Sequence, residues 1–251
     1  PKYPYFLPNE SSSDSFSEKS LSLVKPTKHG NYYPLLRRHF THPESKKQIS
    51  LSPKEYALNL VSDYSEASEL IYDVTEFTSD SITFEAVQPH RKITKTFSFP
   101  NTQKDAPYCV ELTIQLDKSR GDSRNLWLTT GVPEVEMMSG ASSPILRYRI
   151  TRNNKGEVTK LDLPKESISM NSIQPDWVCN SNGFLGFILD PLSRNTPGYK
   201  ALLSPGAERP TRLMAIPSFA NSYKAEDLPG YNMMLPLNQD GGNMKFRFIA
   251  G

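Results

Sequence analysis

The sequence predicts an all-β protein, an antiparallel β-sandwich with few short helices. Apolar and polar residues alternate in about ten or more short segments, which is the pattern of strands with one buried face. Turn-forming residues separate these segments, and 21 prolines in 251 residues argue against long helices. Strand and helix patterns do not alternate, so the sheets are expected to be antiparallel rather than parallel.

The clearest strand covers residues 110–116, in which every second residue is apolar. Residues 82–86 and 93–99 alternate in the same way on either side of the turn-like sequence QPHRK, so a hairpin is predicted. In the second segment, Ile93, Lys95, Phe97 and Phe99 are predicted to share one face of the strand.

A second hairpin is predicted at Asn153-Asn154-Lys155-Gly156, because Asn and Gly tolerate the positive φ of tight turns. Its strands are expected at residues 146–150, where Leu146, Tyr148 and Ile150 share a face, and at residues 157–163. Two further strands are predicted, a buried one at residues 184–189 and an alternating one at residues 244–248.

Two segments are harder to interpret. In SPKEYALNL, Ser52, Pro53 and Glu55 resemble a helix-capping box, yet Tyr56 and the following leucines also alternate as in a strand. We favour the strand because every neighbouring element is β. Six Pro and Gly residues break the chain between residues 190 and 210, which predicts a loop with at most short strands.

Two regions are expected along the chain. Residues 1–29 form an irregular, partly mobile segment that includes the polar, Ser-rich sequence NESSSDSFSEKS. Residues 30–251 form a single β-sandwich domain, since such folds often reach ~200–250 residues as one unit. The chain begins at Pro1 in loop-like sequence, so it is expected to be a fragment of a larger protein from which targeting or membrane segments are omitted.

Charge and composition argue against several classes of function. The net charge is +2, and the basic pairs Arg37-Arg38 and Lys46-Lys47 are interpreted as solvated loops, so no nucleic-acid partner is predicted. No apolar run reaches the ~18–20 residues that span a bilayer. The two cysteines, Cys109 and Cys179, form no CxxC pair, and two buried free thiols are favoured over a disulfide.

No catalytic, cofactor-binding or metal-binding residue is predicted, and the binding residues stay unknown. Phosphate-binding glycine loops and the HExxH and GxSxG motifs do not occur. His39 and His42 are spaced as metal ligands on a helix would be, but Pro43 argues against that geometry. His39 and His42 are therefore interpreted as surface residues, and the two remaining histidines are His29 and His90.

Several other residue pairs have a functional and a structural interpretation, and the structural one is favoured in each case. Glu134 and Glu136 indicate a solvated strand face rather than a glycosidase pair. Asp176 and Trp177 indicate a turn before a core residue rather than a sugar platform. Core filling is preferred to a peptide groove for two methionine pairs, Met137-Met138 and Met233-Met234.

Three segments resemble the large periplasmic domain of YidC-type membrane protein insertases. The most specific is KITKTFSF at residues 92–99 with YCVELTI at 108–114, which is similar to the family's TKTF strand and the strand that follows it. SIQPDWVCNSNGFLGFIL at 172–189 resembles the family's Trp-bearing stretch, and NYYPLLRR at 31–38 lies near the end of its N-terminal strands. The resemblance covers residues 30–250 approximately.

The resemblance implies a β-supersandwich similar to galactose mutarotase, exposed to the periplasm at the bacterial inner membrane. It implies a non-catalytic role in the insertion and folding of inner-membrane proteins, with Sec translocon subunits and nascent inner-membrane proteins as partners. Tethering would come from membrane segments outside this sequence. The Ser-rich N-terminus and the loop after Asp190 have no counterpart in the family pattern, and no insertase residue can be transferred to a position here.

Two alternative functions remain open from the sequence. A mutarotase-like enzyme would need an acid and a base, commonly His with Glu, and no histidine follows His90. A carbohydrate-binding module would use Trp127, Trp177 and tyrosines as stacking platforms.

Overall fold

Antiparallel strands account for most of the described chain. The structure is a computed structural model that describes residues 6–8, 21–23, 36, 38–41, 45–62, 67–100, 106, 108–117, 125–134, 144–183, 185–193, 195–206, 229–238 and 240–251. The strands are β1 (Phe6–Pro8), β2 (Leu21–Leu23), β3 (His39–Thr41), β4 (Gln48–Ser50), β5 (Leu60–Val61), β6 (Asp73–Phe77), β7 (Ser81–Gln88), β8 (Arg91–Ser98), β9 (Val110–Leu116), β10 (Trp127–Thr129), β11 (Ile145–Arg152), β12 (Lys155–Lys160), β13 (Ile168–Met170), β14 (Trp177–Ser181), β15 (Gly186–Pro191), β16 (Tyr199–Ser204), β17 (Gly230–Pro236) and β18 (Gly242–Ala250).

Two large sheets form the domain. One has nine strands in the order β12-β11-β14-β15-β18-β9-β8-β7-β6, and the other has five in the order β13-β16-β17-β10-β5. Every pairing between strands of these sheets is antiparallel. Two small two-stranded sheets, β1-β2 and β3-β4, complete the described strands.

The core lies between the two large sheets. Fully buried side chains from the nine-stranded sheet meet those of the five-stranded sheet in one apolar cluster. The first group includes Ile93, Leu112, Leu146, Leu189 and Phe246, and the second includes Leu60, Leu128, Ala201 and Met233. Each buried aliphatic or aromatic side chain contributes roughly 1.5–3 kcal/mol of transfer free energy. The predicted all-β antiparallel sandwich is therefore confirmed.

Both predicted hairpins and most of the predicted strands are present. Strand β9 has the predicted bounds, and its apolar phase faces the core. Strands β7 and β8 form the first predicted hairpin, and β11 and β12 form the second. Asn153 and Asn154 both have positive φ in the second turn, as a tight hairpin with right-handed strand twist requires. The predicted strand after this turn begins two residues earlier than expected, at Lys155, and ends at Lys160.

The strand predicted for SPKEYALNL is wrong over most of its length. Pro53–Glu55 is a single turn of 3₁₀ helix, capped reciprocally by Ser52 and Glu55. The turn forms in place of the strand because Ser52 and Glu55 are only three residues apart, so their hydrogen bonds need no partner strand. Strand β5 begins only at Leu60, after Leu58 has taken a positive φ of 56°.

The loop predicted between residues 190 and 210 contains more strand than expected. Strand β16, six residues long, lies inside this range and pairs with β13 and β17. Most of the predicted irregular segment 1–29 lies outside the described residues. Within the part of the chain that the structure describes, no helix is long and apolar enough to cross a membrane.

Candidate functional site

A cavity of about 670 Å³ opens where the smaller sheet ends. The five-stranded sheet is too narrow to cover the whole inner face of the nine-stranded sheet. Beyond β5, the irregular segments around residues 53–59 and 68–72 cover β7 and β8 instead. Pockets that hold small ligands typically measure ~300–1,000 Å³. The lining residues are Arg38, Pro53, Tyr56, Ala57, Leu58, Asn59, Ser68, Glu69, Leu70, Tyr72, Phe84, Lys95 and Phe97.

Lys95 is the unusual residue of this cavity. It projects from β8 on the same face as the core residue Ile93, and only 6% of it is exposed. Its Nζ donates a hydrogen bond of 3.0 Å to the Leu58 carbonyl and lies 4.4 Å from the centre of the Tyr72 ring. Burial, with a smaller effect of the Arg38 guanidinium, lowers the pKa of Lys95 to about 7. The cavity therefore holds a lysine that changes protonation near neutral pH.

Tyr72 and Arg38 add further polar groups to the cavity. The Tyr72 hydroxyl is buried and has no hydrogen-bond partner among the described residues. Burial raises the pKa of Tyr72, while the positive charge of Arg91 lowers it by a smaller amount. Arg38 is exposed, and its guanidinium carbon lies 4.5 Å from the centre of the Tyr56 ring. Two cationic side chains and an unused hydroxyl thus face one space.

The wall that carries the Leu58 carbonyl is fixed by buried hydrogen bonds. Leu58 N donates to the Thr129 carbonyl at 2.9 Å, and the Thr129 hydroxyl donates to the Tyr56 carbonyl. The Asn59 amide donates to the carbonyls of Pro53 at 2.8 Å and Ser68 at 2.9 Å. A leucine with positive φ is uncommon, and such backbone persists only where the surroundings hold it in place. The cavity wall is therefore a rigid, locally strained structure.

Gly131 supports this wall from behind, which leads to a prediction. Its φ is +80°, and a Cβ added there would lie 2.8 Å from Ala57 Cβ and 2.9 Å from Ala57 Cα. We expect Gly131→Ala to lower the free energy of unfolding by about 2 kcal/mol, from backbone strain together with the close contact. Urea denaturation followed by tryptophan fluorescence measures the change.

Gly242→Ala is the matched control for that prediction. Gly242 also has positive φ, +103°, but no atom lies within 4 Å of its added Cβ. Its substitution should therefore cost only the backbone term, about 1 kcal/mol. Equal losses in the two variants would mean that contact with Ala57 contributes nothing.

The structure corrects the interpretation of the carboxylates. Glu134 is only 3% exposed, so it does not belong to a solvated strand face, and Glu136 lies outside the described residues. The Glu134 carbonyl accepts a hydrogen bond of 2.7 Å from the Asn182 amide, because the chain here packs against the loop that joins β14 and β15. Sequence spacing alone carried no sign of this long-range contact.

Asp176 occupies a turn, as predicted. Its carboxylate accepts a hydrogen bond of 2.7 Å from the Thr151 hydroxyl, and its backbone N–H donates to the Arg149 carbonyl at 2.7 Å. It also lines a second cavity, of about 460 Å³, together with Gln174 and Asn195. These hydrogen bonds join the turn before β14 to the last residues of β11, with which β14 pairs.

The two tryptophans differ in burial. Trp177 is only half-buried, so its interpretation as a core residue is wrong. Trp127 is 6% exposed, and the Lys200 ammonium lies 4.1 Å from the centre of its ring system. A buried Trp127 offers no open face for a sugar, which removes one of the two stacking platforms proposed for a carbohydrate-binding module.

The remaining sequence interpretations are largely confirmed where the structure describes the residues. Met233 and Met234 are buried in the core, whereas Met137 and Met138 lie outside the described residues. Both cysteines are free; Cys109 is buried and Cys179 half-buried. Lys46 and Lys47 are solvated. His39 is exposed and His90 half-buried, while Arg37, His29 and His42 lie outside the described residues.

Sequence reasoning missed the cavity residues Arg38, Tyr72 and Lys95. A signal existed for Lys95, which shares the apolar phase of its strand with Ile93 and Phe97. None existed for Tyr72, which lies in an irregular segment. The described residues that line the larger cavity include Glu69 and no histidine.

Comparisons with solved structures give only distant similarity. An Escherichia coli K12 protein assigned as an aldose 1-epimerase matches with a TM-score of 0.41 and 9% identity, over 86% of this chain and 81% of that chain. A galactose mutarotase-related enzyme of Lactobacillus acidophilus matches with a TM-score of 0.40 and 12% identity, over 87% of this chain and 81% of that chain. The description of the fold rests on the sheets themselves.

Comparisons of sequence are more informative. No protein-family model matches the chain. The membrane protein insertase YidC of Chlamydia caviae is 36% identical over 226 residues, and that of Chlamydia trachomatis is 38% identical over the same length. Each alignment covers 88% of this chain but only 27% of the relative, so the chain spans about a quarter of the length of these proteins. By this identity over most of its length, the chain belongs to the YidC membrane protein insertase family, as the counterpart of one part of these longer proteins.

Proposed function

We propose that the chain is a non-catalytic, periplasmic domain of a membrane protein insertase of the bacterial inner membrane. In this role it assists the insertion and folding of inner-membrane proteins through protein–protein contacts. Its partners are nascent inner-membrane proteins and Sec translocon subunits. The observation that carries the proposal is the 36–38% identity to insertases over 88% of the chain.

The surface of the described domain supports a role in contacts. Strand β6 is the edge of the nine-stranded sheet, and all five of its residues are exposed. Large apolar side chains stand on and beside it, with Ile71 86%, Val74 56% and Phe77 78% exposed. An edge strand that pairs on one side only among the described strands, and that carries exposed apolar side chains, is a template for pairing with another chain.

Site-directed photocrosslinking tests the partner claim in cells that make the protein. A photoreactive amino acid replaces Phe77 at the β6 edge in one strain and Val158 at the opposite β12 edge in another, where that side chain is 53% exposed. We expect crosslinks to translocon subunits or newly made inner-membrane proteins from Phe77, and fewer from Val158.

Deletion and accessibility experiments test the location and the role. Protease added to the periplasmic side should cleave the domain without disruption of the inner membrane. Deletion of the region that corresponds to this chain should slow the insertion of reporter proteins. Protection from protease would contradict the periplasmic location, and the absence of crosslinks from both edges would contradict the partner claim.

A further inference from the structure

We propose that the cavity at Lys95 is a binding site for a carboxylate attached to an apolar group, such as an aliphatic acid or the apolar carboxy-terminal residue of a peptide. In this arrangement Lys95 and Arg38 receive the carboxylate, and the Tyr72 hydroxyl donates a hydrogen bond to it. The apolar group lies against Leu58, Leu70, Phe84 and Phe97. The proposal is independent of the insertase role.

The charge of the cavity favours an anion. Its charged lining residues are Lys95, Arg38 and Glu69; Lys95 is deeply buried, whereas Glu69 is exposed to solvent at the rim. Arg91 adds positive charge near Tyr72, and burial raises the pKa of Tyr72, so its hydroxyl stays neutral at pH 7. An anion beside Lys95 therefore meets the buried ammonium at short range, whereas the opposite charges of the exposed Arg38 and Glu69 act across solvent, which screens both.

The hydrogen-bonding capacity of the cavity is unused. An ammonium group has three donors, and the structure gives Lys95 one acceptor, the Leu58 carbonyl at 3.0 Å. The Tyr72 hydroxyl is buried without a partner among the described residues. Buried polar groups in folded proteins nearly always have partners, so the Tyr72 hydroxyl, on the ring over which the Lys95 ammonium lies, is available to a ligand.

The rest of the lining specifies the body of the ligand. Phe84 and Phe97 pack edge to face, with ring centroids 5.9 Å apart, and Leu58 and Leu70 also line the cavity. An apolar lining with a few convergent polar groups is the usual composition of a small-molecule site. One buried ammonium in a largely apolar lining suits a single carboxylate better than a strongly hydrated, fully polar anion.

Ligand binding is also expected to depend on pH. A bound carboxylate favours the protonated form of Lys95, so binding takes up a proton whenever the free site holds a neutral amine. Because the pKa of Lys95 in the free protein is about 7, affinity should fall as the pH rises from 7 to about 9.

Isothermal titration of the chain with four probes tests the proposal. Hexanoate and N-acetylleucine carry the carboxylate, and hexanamide and N-acetylleucinamide are their uncharged counterparts. We expect saturable binding of at least one carboxylate at pH 7, and binding of its amide at least about tenfold weaker, since a charged hydrogen bond contributes ~1.5–3 kcal/mol. Binding of hexanoate alone would identify a free acid as the ligand, and binding of N-acetylleucine alone a chain terminus.

Two variants of Lys95 and one matched control assign the site. Lys95→Met and Lys95→Gln should each lower the affinity for the carboxylate at least about tenfold. Lys92→Met removes an exposed lysine of the same strand, paired with Glu85 at 2.7 Å, and should change the affinity less than about twofold. Circular dichroism of each variant verifies the fold. Equal binding of acid and amide, unchanged affinity in both folded Lys95 variants, or no binding of either carboxylate would overturn the proposal.

Discussion

Replacement of Asn180 by alanine is expected to lower the free energy of unfolding by about 3 kcal/mol. Asn180 lies on β14 in the nine-stranded sheet and is fully buried. Its Nδ2 donates hydrogen bonds to the carbonyls of Gly131 at 2.8 Å and Tyr231 at 2.5 Å, and contacts the Thr130 hydroxyl at 3.3 Å. These acceptors belong to β17 and the end of β10, so one amide joins the two sheets through the core.

The size of this effect follows from the surroundings of the amide. Alanine would leave two buried carbonyls without this donor, and each unsatisfied buried group costs ~1–3 kcal/mol. The Asn180 Oδ1 has no hydrogen-bond partner among the described residues, so the donors account for the whole hydrogen-bonding role. The decrease in the free energy of unfolding should therefore exceed the decrease caused by the smaller side-chain volume alone.

Urea denaturation at pH 7 measures the loss, with two companion variants. Asn180→Asp keeps the shape but places a carboxylate oxygen against the carbonyls, so it should destabilise at least as much as alanine. Asn243→Ala removes an exposed asparagine of β18 and should stay within about 0.5 kcal/mol of the parent. A loss below about 1 kcal/mol in Asn180→Ala would show that the link between the sheets is dispensable.

Local sequence patterns predicted those parts of the fold whose causes are local. Strand β9 has an unbroken apolar alternation, and the β11–β12 hairpin has two asparagines that accept positive φ. The β7–β8 hairpin followed from alternation on either side of a turn. In each case the residues that decide the structure are neighbours in sequence, so a single chain was enough to find them.

The errors arose where two local signals competed or where a distant contact decided. At Ser52 to Leu58 the capping box and the alternation gave opposite predictions, and the shorter-range hydrogen bonds prevailed. Glu134 is buried because a loop more than forty residues away packs on it. Asn180 shares the buried phase of β14 with Val178, yet its three acceptors come from residues 130, 131 and 231.

The cavity could not be predicted because its walls meet only after both sheets have formed. Lys95 on β8, Tyr72 before β6 and Leu58 before β5 have no regular spacing. What the sequence does contain is a lysine in an apolar phase. A lysine among the apolar residues of a strand is expected either when the lysine is buried or when the strand lies at an exposed sheet edge. The position of β8 between β9 and β7 decides between these two alternatives.

The stability of the protein is expected to rise by about 2 kcal/mol between pH 7.5 and pH 9.5 through Lys95. The pKa of Lys95 is about 7 in the folded protein and 10.5 in the unfolded chain. Between these values the unfolded chain binds the proton that the folded protein releases. A rise in pH therefore removes a cost of folding, with a slope of up to ~1.4 kcal/mol per pH unit. The cost of releasing this proton on folding is absent above pH ~10.5. It grows as the pH falls from 10.5 to 7 and stays constant below 7.

Lys95→Met isolates this contribution because methionine fills a similar volume without a charge. The variant should be as stable as the parent or more stable at pH 7, since replacement of a buried charge by an apolar side chain removes its desolvation cost. Its stability should change with pH by about 2 kcal/mol less than that of the parent over the same window. The measurement stops at pH 9.5 because burial raises the pKa of Tyr72, and above pH ~10 ionisation of that tyrosine in the unfolded chain lowers stability.

Lys92→Met serves as the control for this pH dependence, since Lys92 is on the same strand with its side chain 43% exposed. It should keep the slope of the parent, because the substitution leaves Lys95 and the lining of the cavity unchanged. Parallel pH profiles for the parent and Lys95→Met would mean that Lys95 stays charged in the folded state. In that event water or an anion must solvate the ammonium inside the cavity, and the neutral amine would be excluded as the resting form of the site.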